Sequence, residues 1–291
     1  MRVAVPGTCG ELVQGTLDGI PCLVSCPITA YSVAEVKYGV GTGWRLPPHL
    51  VKARTALHYG LEYLDLADSQ GHIHLHSDLP HGRGYGSSTA DIGATLFALG
   101  HAADRVLQPA EAAQLALRVE PTDGSLFPGW VLWDHRGGQI CEDLGAPPML
   151  SVIVLDPGGQ VDTVAYNRQA HEPILRTLSS QHRDAFTLLQ DGIKHGDAAT
   201  IGAAATLSAV AHQAILPNPL LEITLQLAQD IGAAGVCRAH SGTILGLLLD
   251  PHDTDLSEAS ALARQRYPKN VNIHGLSVIG GGPRRLTSET V

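Results

Sequence analysis

The stretch Pro80-His81-Gly82-Arg83-Gly84-Tyr85-Gly86-Ser87-Ser88-Thr89-Ala90-Asp91 decides how the rest of this chain is read. Gly82, Gly84 and Gly86 alternate with other residues, and two serines and a threonine then open an apolar-periodic segment. Ile92, Leu96, Leu99, Ala103 and Val106 follow at helical spacing. The sequence therefore predicts a glycine loop that feeds directly into a helix, with Ser87, Ser88 and Thr89 at the N-cap and first turn. Glycines let backbone N–H groups approach a ligand without Cβ obstruction. The helix start adds unpaired N–H donors and a partial positive charge. Together they make a place for an anion, most naturally a phosphate.

Several better-known loops do not fit this stretch. A Walker loop closes on Gly-Lys-Ser/Thr, and no lysine is present here. The dinucleotide fingerprint needs a preceding strand in a βαβ unit and an acidic residue about 20 positions on; Asp104 and Glu111 do not end a strand. A serine-hydrolase elbow needs a closing glycine after the serine, and Gly86-Ser87-Ser88 lacks it. Taken alone, the stretch is also compatible with an ordinary loop ending in a Ser/Thr cap.

Working outward, the chain has 291 residues, enough for one large or two ordinary domains. Hydrophobic residues make up 44%, which supports a substantial core, whereas charged residues make up only 16%. The net charge of −9 and the lack of any basic run argue against nucleic acid or an anionic membrane as main partner. An anionic nucleotide must then be held by local dipoles and a metal ion rather than by a global positive field. No charged-then-apolar leader and no apolar run approaching a membrane span is found, so a soluble cytoplasmic protein is expected. Five cysteines fit reduced thiols better than a disulfide framework. Cys22 and Cys26 have the spacing of half a zinc site, but no second His/Cys pair follows.

The N-terminal half alternates strand and helix signals. Arg2–Pro6, Leu23–Ile28, Tyr31–Tyr38 and His72–Ser77 read as strands, and His49–Leu66 as a helix. His72, His74 and His76 fall on one face of their strand, read as solvated with Ile73 and Leu75 turned inward. A helix over Pro109–Val119 and a hairpin of Trp130–Asp134 with Gln139–Asp143 follow, and Pro147-Pro148 breaks the pattern. The second half opens on a buried-type strand at Ser151–Leu155. Helices are predicted over Asp184–Lys194, Ala198–Leu216, Leu220–Ile231 and Leu256–Tyr267, and strands over Val236–Arg238, Leu245–Leu249 and Val271–Gly275. The last few residues read as frayed. This mixture indicates an α+β sandwich, divided near residues 148 and 149.

Three segments in order resemble the motifs of the GHMP small-molecule kinases: Pro6-Gly7-Thr8-Cys9-Gly10-Glu11-Leu12-Val13-Gln14-Gly15, the glycine loop itself, and Gly235-Val236-Cys237-Arg238-Ala239-His240-Ser241-Gly242-Thr243. Within that superfamily the chain resembles most the L-threonine kinases of cobalamin side-chain synthesis. That likeness rests on Leu23–Pro27, Glu120-Pro121-Thr122-Asp123-Gly124 and Ala239–Thr243. The resemblance implies an N-terminal ATP-binding domain over 1–148 like the second domain of ribosomal protein S5. It also implies a ferredoxin-like C-terminal domain over 149–291.

The same resemblance implies roles. Pro80, Gly82, Arg83, Gly84, Tyr85, Gly86, Ser87, Ser88 and Thr89, with Ser241 and Gly242, would cradle ATP. Ser88 and Glu120 would hold Mg²⁺, which takes oxygen ligands. Asp123 would serve the acceptor hydroxyl as base, and Thr243 would steady the transferring group. Glu11, Gln14 and His240 would meet the substrate, with Glu11 suited to an ammonium and Arg83 or Arg238 to a carboxylate. His240 could equally be a satisfied turn residue. Lys52 and Thr55 could line an adenine pocket or simply end a helix. The expected ligands are ATP, Mg²⁺ and a small hydroxyl substrate such as L-threonine, and a second copy of the chain could complete a homodimer. Homoserine kinase is the nearest alternative, and a catalytically silent nucleotide or metabolite sensor is an alternative of another class.

Overall fold

The computed structural model describes residues 1–41, 43–161 and 171–287. Its ten described strands form one sheet in the order β5-β4-β2-β1-β7-β8-β6-β9, with β3 added to β2 and β10 to β1. In chain order, β1 is Arg2–Leu17, β2 Ile20–Tyr38, β3 Gly71–Ser77, β4 Trp130–Asp134 and β5 Cys141–Gly145. β6 is Ser151–Asp156, β7 Gly235–Arg238, β8 Leu245–Leu249, β9 Asn272–Ser277 and β10 Arg284–Leu286. The helices are α1 (Val51–Tyr63), α2 (Ser87–Ala102), α3 (Pro109–Leu117) and α4 (Glu172–Thr177) in the first part. α5 (Ser179–His195), α6 (Ala198–Ala211), α7 (Leu221–Asp230) and α8 (Leu256–Arg266) follow.

The largest departure from the sequence reading is at the N-terminus. The first motif is not a loop after a short strand but the middle of the 16-residue β1, and the two strands predicted over 23–38 are one 19-residue β2. Proline and glycine marked a break because they break regular pairing. The chain absorbs them as irregularities in the β1–β2 register between Pro6 and Thr8, Thr8 and Glu11, and Glu11 and Val13. Such bulges bend a strand and re-aim its side chains, and here they present Glu11 to a cleft.

The sheet is continuous across residue 149. β1 meets β7 at Glu11 and Arg238, and β7 leads through β8 to β6 and β9. The main core likewise joins Val5, Leu12 and Phe97 to Val154, Cys237 and Leu248, while a smaller one lies around Leu245, Leu247 and Tyr267. The five cysteines are free, and all but Cys141 are buried.

α2 runs against the sheet, and its predicted apolar stripe is too narrow a description. Residues 89–100 are all buried, because Ala, Gly and Thr on the remaining faces let the helix sit close to β1, β2 and α1. The helix ends at Ala102, so Val106 lies beyond it and is exposed. Burying Leu96 and Leu99 contributes about 1.5–3 kcal/mol each, which anchors the helix against the sheet. On β3 the three histidines alternate outward as read, with Ile73 buried beneath. The predicted helix over 198–216 stops at Ala211 and ends in a 3₁₀ turn, His212–Ala214. Residues 288–291, read as frayed, lie outside the described residues. Among the described residues no helix is long and apolar enough to cross a membrane.

Candidate active site

The three motif segments converge on the backbone of three residues, Arg83, Gly84 and Tyr85. Gly84 O accepts from Gly10 N–H at 3.2 Å, and Tyr85 O from Thr8 N–H at 2.8 Å. From the other side, Arg83 O accepts from Thr243 N–H at 2.8 Å and Ile244 N–H at 3.1 Å. Only glycine serves at position 84: its φ is +102° and a Cβ would lie 2.2 Å from the Cβ of Ala239. Tyr85 is buried, its hydroxyl donates to Asp156 at 3.3 Å, and Arg83 Nη1 donates to the same carboxylate at 2.9 Å. These two side chains therefore brace the loop.

The serines are not the helix cap. The N-cap of α2 is Gly86 in the left-handed conformation, and no side chain caps the helix. Ser87, Ser88 and Thr89 thus form the open first turn, beside a cleft of about 450 Å³ that they help to line. An uncapped helix start on a cleft wall is what a phosphate requires.

The segment 120–124 is tied to this turn. Thr89 Oγ1 accepts from Asp123 N–H and from Thr122 Oγ1, both at 3.1 Å. Asp123 stands so close to the helix start that a Cβ on Gly86 would lie 2.8 Å from its Oδ2. Burial and the neighbouring Glu120 raise the pKa of Asp123 to about 6, against lowering by Thr89 and Lys52. Glu120 accepts a hydrogen bond from Ser88, and its other oxygen pairs with Lys52 Nζ at 2.6 Å. A serine hydroxyl and a carboxylate side by side, already holding a cation, are the donor set that suits Mg²⁺. Lys52 therefore serves the carboxylates, whereas Thr55 bonds back to Val51 on its own helix.

The other end of the cleft is built from side chains. Glu11 is buried, and its Oε2 has no hydrogen-bond partner. Burial first and Asp123 second hold its pKa well above the usual carboxylate range, while Ser25 pulls the other way. His135 follows β4 directly; Asp134 organises the hairpin turn by accepting from the N–H groups of Arg136, Gly137 and Gln139. The His135 ring packs edge-on against His240, centroids 4.9 Å apart. Burial and the charge of Arg136 lower its pKa to about 3, with the Pro21 carbonyl a weak counterweight. His240 Nδ1 donates to Gln14 Oε1 at 2.6 Å, and its carbonyl meets His212 Nε2 at 2.9 Å.

The cleft therefore gathers Glu11, the loop and helix start, Glu120, Asp123, His240 and Ser241. It leaves out Pro80, Arg83, Gln14, Gly242 and Thr243. Gln14 stands behind His240 as its support. Thr243 departs furthest from expectation: the bond from its N–H to Arg83 fixes the turn so that it lines a second cavity of about 280 Å³ with Asn218 and Pro157. Arg238, suggested for a carboxylate, is 1% exposed and donates to Gln213 and to the Leu216 carbonyl. His135 was not among the expected site residues. In the sequence it is one residue of a hairpin turn, and only β4 pairing with β2 at Cys22–Asp134 and Leu23–Trp133 brings it to the cleft.

An open helix start behind a glycine loop, a serine hydroxyl beside a carboxylate, and an aspartate of raised pKa are groups that phosphoryl transfer employs. The chain belongs to the GHMP kinase family. It matches the GHMP kinases N terminal domain over residues 49–127 and the GHMP kinases C terminal domain over residues 189–269. It is accordingly a phosphotransferase acting on a hydroxyl group. An L-threonine kinase of Citrobacter freundii is 34% identical over 253 residues, 86% of this chain and 87% of that protein. An L-threonine kinase of Salmonella typhimurium is 31% identical over 283 residues, 95% and 93% of the two chains. The crystal structure of homoserine kinase from Cytophaga hutchinsonii superposes with a TM-score of 0.74 at 17% identity, covering 98% of this chain and 96% of that one.

Proposed function

We propose that the enzyme transfers the terminal phosphoryl group of ATP to the side-chain hydroxyl of L-threonine, giving O-phospho-L-threonine. One observation carries the acceptor class: Glu11 offers a buried, unpartnered carboxylate oxygen to the cleft. A buried carboxylate of that kind is stabilised by a cation. The ammonium of an amino acid supplies one, whereas a sugar or a hydroxy acid does not. Between amino-acid acceptors, the identity to two L-threonine kinases favours threonine over homoserine. We infer from the same subgroup resemblance that the product feeds cobalamin synthesis.

The residues divide the work. The open first turn of α2 and the loop N–H groups receive the phosphates of ATP. Ser88 and Glu120 hold Mg²⁺, which when bound neutralises charge on the transferring group. Lys52 balances Glu120 until then and remains within reach of both carboxylates. Asp123 accepts the proton of the threonine hydroxyl; with a pKa of about 6 it is ionised at neutral pH and only modestly basic.

A panel of hydroxyl substrates with coupled ADP detection tests the reading. Threonine is expected to be turned over well ahead of homoserine, serine, mevalonate and galactose. One methylene typically changes discrimination by only ~1–3 kcal/mol, so some homoserine turnover is compatible. Equal or faster turnover of homoserine would remove the threonine assignment.

A further inference from the structure

An amino acid whose ammonium rests on Glu11 must also place its carboxylate in the same cleft, close to two acidic side chains. Arginine, the usual bidentate partner of a carboxylate, is absent from the described lining of that cleft. Arg83 is bound to Asp156, and Arg238 is turned into the core. Lys52 is engaged by Glu120 on the phosphate side. His81 belongs to the phosphate loop, where its Nδ1 faces Ser87 Oγ at 3.3 Å. His240 spends its Nδ1 proton on Gln14.

His135 is different from all of these. It is 4% exposed and lines the cleft, and neither ring nitrogen has a well-formed hydrogen bond, the Pro21 carbonyl acting on it only weakly. A buried imidazole so weakly partnered is costly unless a ligand completes it. Its place is also fixed: Thr122 N–H donates to its carbonyl at 3.0 Å, and its ring edge packs on His240. The first contact ties it to the segment that carries Asp123. The geometry points to His135 as the residue that recognises the acceptor's carboxylate, donating an imidazole N–H to it while Glu11 takes the ammonium. This assignment rests on the amino-acid reading of the acceptor given above. In its neutral form the ring is a donor through one nitrogen, so it selects a carboxylate without adding a fixed charge beside the phosphates.

The test compares L-threonine with (R)-1-amino-2-propanol, which keeps the ammonium and hydroxyl but lacks the carboxylate. Affinities are measured by titration calorimetry and by KM. His135→Leu is expected to weaken threonine binding at least tenfold, the size of a hydrogen bond to a charged group, while affinities for ATP and for aminopropanol stay within about a factor of two. His135→Gln, which keeps an N–H donor of similar reach, is expected to restore most of the threonine affinity. Equal losses on threonine and aminopropanol, or threonine binding unchanged in His135→Leu, would overturn the assignment. So would a wild-type enzyme that binds aminopropanol as tightly as threonine. A wild-type enzyme that ignores threonine and homoserine alike overturns the amino-acid reading first, before any variant is made.

Discussion

At the end of the cleft proposed for phosphate, the frame is built from backbone: an uncapped helix start at Gly86 and a loop whose carbonyls at 83–85 are fastened to β1 and to the turn after β7. At the end proposed for the acceptor, the cleft is lined by side chains far apart in sequence, Glu11 on β1, His135 just after β4 and His240 just after β7. In the glycine loop, Arg83 Nη1 and the Tyr85 hydroxyl are both held by Asp156, with only Arg83 Nε left unpartnered. At the acceptor end, Glu11 and His135 keep polar atoms unpartnered. Phosphate is common to every donor nucleotide, so a fixed frame suffices for it. The acceptor differs among family members, and side chains can change without disturbing the frame.

The group that lies between the two ends is expected to give the largest effect. Asp123→Asn should lower kcat by ~10²-fold or more if Asp123 takes the hydroxyl proton. The wild-type rate should fall on the acid side as Asp123 is protonated, with an apparent pKa of about 6, and the variant should lack that limb. Retention of the limb, with a loss of only a few-fold, would make Asp123 a positioning group shared by both ends.

Next in size is the frame itself. Gly84→Ala meets Ala239 and a left-handed φ together, so the loop must shift. ATP affinity should drop ~10-fold or more, while threonine affinity in the absence of nucleotide should change little. Parallel losses of both ligands in calorimetry would show that the two ends are not separable.

The smallest and most diagnostic effect belongs to the acceptor end. The folded-state pKa of Glu11 is raised, so its contribution to stability is full below the unfolded value and is lost as pH rises through the folded one. Glu11→Gln removes that penalty. Its ligand-free Tm should exceed the wild type's at pH 8, by about 2–4 °C for each kcal/mol recovered, with the gap closing toward pH 4. Threonine affinity should fall in the same variant. A Tm that drops at every pH would mean that Glu11 is structural rather than a vacant ammonium site.

The same contrast explains what the sequence could reveal. The phosphate frame depends on where glycine falls and where a helix begins, and both are local signals; Gly82, Gly84, Gly86 and the start of α2 were legible for that reason. Glu120 and Asp123 lie within one short segment and were legible through its likeness to the family. The acceptor end depends on register. Gly10 looked like a break in β1, but the register shifts around Glu11 are set by pairing with β2, which no local pattern encodes. His135 reaches the cleft only because β4 lies beside β2. Thr243 lines the second cavity because a one-residue difference along the Ser241-Gly242 turn decides which cavity a residue faces.

In β1, Gly10 gives its N–H to the phosphate loop and the next residue, Glu11, faces the acceptor. The two contacts are therefore neighbours in the chain, joined through Gly10, whose φ of +60° and close approach to the Arg238 backbone fix its conformation. So short a connection acts as a ruler whose length no domain motion can alter. Replacing the side chain at position 11 can change which molecule is presented, but the gauge against which it is presented remains the same.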